Sequence, residues 1–259
     1  MICINKSYKA NSIRLERSNE RNGGIYNDIS CTLGSAAFGR VSLDDANYGA
    51  LMNTVMKQYI DKAMTFAEYV KLIDDLLAEG KTTGPVQSEA MFGYGKINRQ
   101  RMLRLEKTAE LNADVLTRFQ NVGQKMIWLV ITEGWCGDAA QNIPVIEKMA
   151  AESNNIETLY LLRDENPELI DKFLTGGGRA IPKLIVLDAE TLDVLGSWGA
   201  RPEAAQQLYK ELKLRGVEKL LIMENLQRWY NADRNQAIQS EFVKYIEQWE
   251  GKAAAEARA

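Results

Sequence analysis

Met126-Ile-Trp-Leu-Val-Ile-Thr-Glu-Gly-Trp-Cys-Gly-Asp-Ala-Ala140 is the stretch that decides how this chain folds. From Met126 to Thr132 it is apolar and rich in β-branched residues, the composition of a buried strand, and it stops at Glu133-Gly134. A helix-compatible segment starts at Cys136. A strand therefore delivers a cysteine onto the first turn of a helix, where backbone N–H groups lack intrahelical partners and the helix dipole adds partial positive charge. Both effects favour thiolate over thiol.

On the N-terminal side, Thr65-Phe66-Ala67-Glu68 has the form of a capping box. Phe66, Tyr69, Val70, Ile73, Leu76 and Leu77 follow at helical spacing as far as Gly80. A second helix is expected from about Gln87 to Lys107, with Arg99, Arg101 and Arg104 on a solvated face, and a short third around Asp114 to Gln120. Residues 1–50 mix polar residues with isolated apolar ones and show neither period, so a disordered segment is expected there, with Cys3 and Cys31 as incidental thiols. The composition changes near Met52 and Met56, and either is a candidate start of translation. Residues 51–123 then form a helical extension.

On the C-terminal side, the motif helix is expected to reach about Glu152. Ile156 to Leu162 reads as a buried strand, and Pro167 opens a helix that ends near Leu174. Lys183 to Leu187 and Leu192 to Trp198 read as two strands joined by a hairpin connection at Asp188 to Thr191. Gly199-Ala200-Arg201-Pro202 opens another helix, and two amphipathic helices, Val217 to Tyr230 and Gln236 to Trp249, complete the chain.

Composition removes several kinds of chemistry. Histidine is absent, so Ser-His-Asp and Cys-His nucleophile pairs and imidazole metal sites are excluded. Three cysteines, Cys3, Cys31 and Cys136, cannot build a Cys₄ zinc site, and their wide separation does not suggest a disulfide framework, which agrees with a reducing compartment. No metal or resident cofactor is expected. A formal net charge of −3 gives no basic excess for nucleic acid or an anionic membrane. With 46% apolar residues, no run long enough to span a bilayer and no apolar leader, a soluble cytoplasmic protein is expected.

Strand, Cys-bearing helix, strand, helix, strand, strand, helix is the order of a thioredoxin fold, and several residues carry the same resemblance. Trp135-Cys136-Gly137 resembles the start of the thioredoxin active-site motif. Pro144 falls where that family kinks its motif helix, and Asp164-Glu165-Asn166-Pro167 is similar to the family's Asp-Gln-Asn-Pro turn. Ile181-Pro182 resembles the cis-proline step that faces the active-site sulfur, and Gly199-Ala200 matches the step before the last helix. The resemblance covers residues 124–215 and implies an α/β domain with a mixed sheet of about four strands between helices. Residues 216–259 are added C-terminal helices and a tail. The flanking helices look like those of a bacterial thioredoxin-like subfamily carrying Trp-Cys-Gly-Asp-Ala.

The chain departs from the family pattern at both parts of its resolving half. The position of the second cysteine is Ala139, and the position of the buried Asp six residues before the first cysteine is Val130. Internal resolution of a mixed disulfide at Ala139 is excluded, because no second sulfur stands there to attack. Asp138 opposes the thiolate by like-charge repulsion while the helix terminus favours it, and Arg179 is a candidate for restoring positive potential. Two functional readings follow. One is a monothiol thiol-disulfide oxidoreductase that uses Cys136 on a protein or peptide substrate, with glutathione or another external thiol as co-substrate. The other is a non-catalytic protein- or peptide-binding module. Trp135, Gly137, Asp138, Arg179, Ile181 and Pro182 are the supporting or groove residues in either case. A glutathione transferase is a weaker third, because too little chain follows the domain.

Overall fold

A computed structural model describes the backbone over residues 12–21, 24–33, 36–43 and 45–256, with side chains over 52–251. The chain divides into two compact units, Met1–Gln58 and Tyr59–Ala259.

In the first unit, β1 (Ser12–Arg21), β2 (Gly24–Leu33) and β3 (Ala36–Leu43) form an antiparallel sheet in the order β1-β2-β3, followed by α1 (Asp45–Ile60). Residues 12–43 were expected to be irregular, and the structure gives them three paired strands instead. The register explains how that pattern escapes a simple scan. Ile13 lies opposite Cys31, Leu15 opposite Ile29, and Ile29 opposite Val41, so apolar positions align across strands although each strand alternates only briefly. Cys3 lies outside the described residues.

The second unit is built on β4 (Met126–Thr132), every residue of which is buried. It pairs parallel with β5 (Ile156–Leu162) and antiparallel with β6 (Lys183–Asp188), and β7 (Val194–Gly199) adds to β6, giving the order β5-β4-β6-β7. A strand with neighbours on both edges and helices over the sheet meets no water, so its sequence runs apolar without alternation. α5 (Gly137–Ala151) is the crossover between β4 and β5, with Pro144 inside it.

Before the sheet come α2 (Phe66–Ala78), α3 (Glu89–Thr108) and α4 (Ala113–Gln120). The capping box of α2 is closed: Thr65 Oγ1 accepts from the Glu68 N–H at 3.3 Å, and the Thr65 N–H donates to the Glu68 carboxylate at 2.8 Å. α2 buries Tyr69, which stacks on Tyr160 of β5 with ring centroids 5.2 Å apart. Arg99, expected on a solvated face, is 7% exposed, because its guanidinium reaches back to Asp74 of α2 at 2.7 Å and along α3 to Glu106 at 3.1 Å.

After β5, α6 spans Pro167–Ile170. It ends sooner than its sequence suggested: the Lys172 and Phe173 N–H groups bond three residues back, to Leu169 and Ile170, and Thr175–Gly178 then forms a separate tight turn closed by two backbone hydrogen bonds, with Gly176 and Gly177 at positive φ. α7 (Glu203–Leu214), α8 (Lys219–Asp233) and α9 (Gln236–Glu256) complete the unit. α7 and α8 pack through Ala205, Ile222 and Leu226. α9 brings Phe242 and Trp249 edge-on to Trp128 of β4, with Phe119 of α4 on the same indole. Among the described residues no helix is long and apolar enough to cross a membrane.

Candidate functional site

β4 ends at Thr132, and the chain turns through Glu133-Gly134-Trp135 before Cys136 caps α5. Hydrogen bonds from three directions hold this turn. Glu133 O accepts the Cys136 N–H at 3.1 Å, the Gly134 N–H donates to Thr83 Oγ1 at 2.8 Å, and Asn98 of α3 donates to Trp135 O at 2.7 Å. The fully buried Glu133 carboxylate accepts the Asp164 N–H at 2.9 Å, and burial raises its pKa. The Arg163 guanidinium lies over the Trp135 ring, 4.8 Å from its centroid. At Gly137 a Cβ would come within 3.3 Å of Gln227 Nε2 and 3.7 Å of Arg101 Nη1, so glycine lets α8 and α3 close on the start of α5.

The sulfur of Cys136 sits between two backbone groups. Its S–H donates to Ile181 O at 3.3 Å, and it accepts from the Ala139 N–H at 3.5 Å. The Ile181-Pro182 peptide is cis. Cys136 is 7% exposed, and burial, followed by the Asp138 carboxylate, pushes its pKa up to about 12; the helix-terminal N–H groups and Arg201 act in the other direction without reversing it. The two opposing effects legible in the sequence are thus decided for the protonated thiol. Desolvation, which depends on packing from distant parts of the chain, outweighs the helix terminus.

Asp138 is itself tied down. Its Oδ2 lies 2.7 Å from Arg201 Nη2, and Tyr230 donates its hydroxyl proton to Oδ1 at 2.9 Å. Asn142, one turn along α5, donates to the Tyr230 oxygen at 3.0 Å. Burial raises the Asp138 pKa, and Arg201 opposes that rise. Arg201 also stacks over Tyr209, 4.4 Å from the ring centroid.

Of the residues expected at the site, Trp135, Cys136, Gly137, Asp138, Arg179 and Ile181 line one cleft of about 680 Å³. Pro182 follows Ile181, and its carbonyl lies against Gly199 of β7. Arg179 stands in a bidentate ion pair with Asp171 at 2.6 Å, with both side chains about half exposed, and the cation acting on Cys136 is Arg201. Ala139 and Val130 are buried at the positions expected for a resolving cysteine and its carboxylate. Cys136 is a free thiol, and among the residues with described side chains no cluster of three or more Cys, Asp or Glu is arranged to hold a metal.

The sequence did not single out Arg201, Tyr230 or Asn98 as site residues. Arg201 had a signal in the Gly-Ala-Arg-Pro step that opens α7, whereas Tyr230 lies 92 positions from Asp138 on an ordinary amphipathic helix. The far walls of the cleft come from the extensions, with Met91 and Tyr94 on α3 and Leu220 and Met223 on α8.

A sequence model of the family described as Thioredoxin matches residues 84–213. No curated protein matches the chain. The chain is similar to the crystal structure of an HIV epitope-scaffold, with a TM-score of 0.49 and 21% identity over 74% of this chain and 96% of that one. It is also similar to a protein of unknown function from Pseudomonas aeruginosa, solved at 1.5 Å, with a TM-score of 0.49 and 21% identity over 72% of this chain and 93% of that one.

Proposed function

The chain belongs to the thioredoxin family, and on that premise we propose that it is a binding module, holding a peptide or a segment of a partner protein in the cleft beside Cys136 without thiol chemistry of its own. The observation that carries this reading is the closed state of the sulfur: Cys136 is 7% exposed, and its proton is engaged by Ile181 O at 3.3 Å. Nucleophilic attack needs a thiolate, and a thiol whose pKa is pushed up to about 12 supplies almost none near neutrality. The missing sulfur at Ala139 and the missing carboxylate at Val130 agree with it. What the fold keeps is a cleft with an apolar body and a cationic rim, as a binding site requires.

One observation favours the second reading, a monothiol oxidoreductase. The Ala139 N–H is aimed at Sγ, and Cys136 is a lining residue of the cleft, so the sulfur stands where a substrate disulfide would enter. In that case the Cys136 thiolate attacks the substrate disulfide, forming a mixed disulfide and expelling one thiolate, and glutathione or another external thiol then takes over that disulfide bond and frees Cys136. Assaying reduction of a glutathionylated peptide with glutathione present separates the two. The binding reading expects equal, background rates for wild type and Cys136→Ser. A rate that Cys136→Ser abolishes and that Cys3→Ser and Cys31→Ser leave intact would overturn it in favour of the monothiol enzyme.

A further inference from the structure

Resting on the binding reading above, we propose that the occupant of the cleft is an acidic, apolar segment of a partner protein, selected by Lys213 and Lys219 at the junction of α7 and α8. Five cationic side chains line the cleft, Arg163, Arg179, Arg201, Lys213 and Lys219, against the single carboxylate of Asp138. Three of them are neutralised within the fold: Arg163 by Asp164 at 2.8 Å, Arg179 by Asp171 at 2.6 Å and Arg201 by Asp138 at 2.7 Å. Lys213 and Lys219 stand in no ion pair among the described residues; the Lys213 ammonium lies 6.0 Å from the Tyr209 ring centroid, and both side chains are exposed. This local positive rim belongs to a chain whose net charge is −3, so general attraction to anions does not explain it.

The body of the cleft is apolar. Leu220, next to Lys219, is 54% exposed, and Met91 and Met223 line the cleft from α3 and α8. Unbranched, polarizable methionines re-pack around varied apolar side chains, which suits a polypeptide segment better than one fixed small molecule. The carboxylates of such a segment would meet the two free ammonium groups, and its apolar side chain would cover Leu220 and Met223. Both lysines lie on the helical pair at the C-terminal end of the domain, so the acidic preference is separable from Cys136.

The probe is a phage-displayed library of random dodecapeptides, selected on the full chain and on Lys213→Glu/Lys219→Glu. Circular dichroism of the variant checks that two exposed reversals leave the fold intact. Wild type is expected to enrich peptides in which Asp or Glu flank Leu, Met or an aromatic residue. The best of these, made synthetically, is expected to lose at least tenfold in affinity on the double reversal and to weaken as salt rises. Selected peptides with no acidic enrichment, or an affinity that the double reversal leaves unchanged, overturn the acidic specificity and leave the binding reading standing. Failure of the library to yield any peptide that the wild-type chain binds overturns both.

Discussion

Arg201 and Asp138 face each other at 2.7 Å, and both side chains are 13% exposed. The cation nearest in effect to Cys136 is therefore neutralised by the same carboxylate that repels a thiolate. Asp138→Asn removes the repulsion and frees Arg201, so the Cys136 pKa is expected to fall from about 12 and alkylation by iodoacetamide at pH 8.5 to speed up more than tenfold. The same substitution leaves a buried guanidinium without its partner and is expected to cost about 3 kcal/mol in urea unfolding. An unchanged alkylation rate would show that burial alone holds the proton.

The raised thiol pKa also sets an alkaline limit on stability. Unfolding returns Cys136 from about 12 to the 9.0 of an unperturbed thiol, so between those values the unfolded chain releases a proton that the folded chain keeps. Its contribution to stability is fully present below pH 9 and is lost as pH rises towards 12. Relative to Cys136→Ser, the wild type is expected to lose about 2 kcal/mol between pH 7.5 and 10.5, at 1.36 kcal/mol per unit. Paired urea titrations at the two pH values check this, and the comparison cancels the buried tyrosines, which titrate in both proteins. Parallel loss in both proteins would contradict the shift.

Ala139 places a small buried side chain where its own N–H already points at the sulfur. Ala139→Cys is expected to form an internal disulfide with Cys136 on exposure to oxidised glutathione, visible as a loss of two hydrogens by intact mass. Its turnover in an insulin-reduction assay is expected to remain slow, because Val130 offers no carboxylate to take a proton and Cys136 stays protonated. Fast turnover by Ala139→Cys alone would show that the Cys136 environment is not a barrier to thiol chemistry.

The domain was legible in sequence wherever the governing interaction is local. The Thr65 to Glu68 capping box and the unbroken apolar run of β4 each declare themselves within a few residues. The electrostatic state of Cys136 was not legible, since burial by distant segments decides it and the Asp138 network closes only when α7 and α8 bring Arg201 and Tyr230 to the start of α5. Arg99 failed for the same reason, because its spacing on α3 reads as surface until α2 delivers Asp74 to it. In the first unit the information lies in cross-strand register, which a scan along one strand does not see.

Gly199 fixes the backbone that follows Ile181. It pairs with Lys183 across β6 and β7, its φ is +127°, and a Cβ there would fall 2.2 Å from Pro182 O and 3.2 Å from Lys183 Cα. Both neighbours are backbone, so no side chain can swing aside. Gly176 provides the comparison, since its φ is +58° but nothing lies within 4 Å of an added Cβ. Gly176→Ala meets only the conformational penalty and is expected to cost about 1–2 kcal/mol. Gly199→Ala is expected to cost more than about 4 kcal/mol, or to prevent folding, because the strand must move away from Pro182. If Gly199→Ala folds at low temperature, the displaced Ile181-Pro182 segment should release the Cys136 proton donor from Ile181 O, and alkylation of Cys136 should accelerate. Urea unfolding of the two variants beside wild type, with alkylation rates on each, decides the matter: equal costs would show that the close approach to Pro182 does not set the geometry at the sulfur.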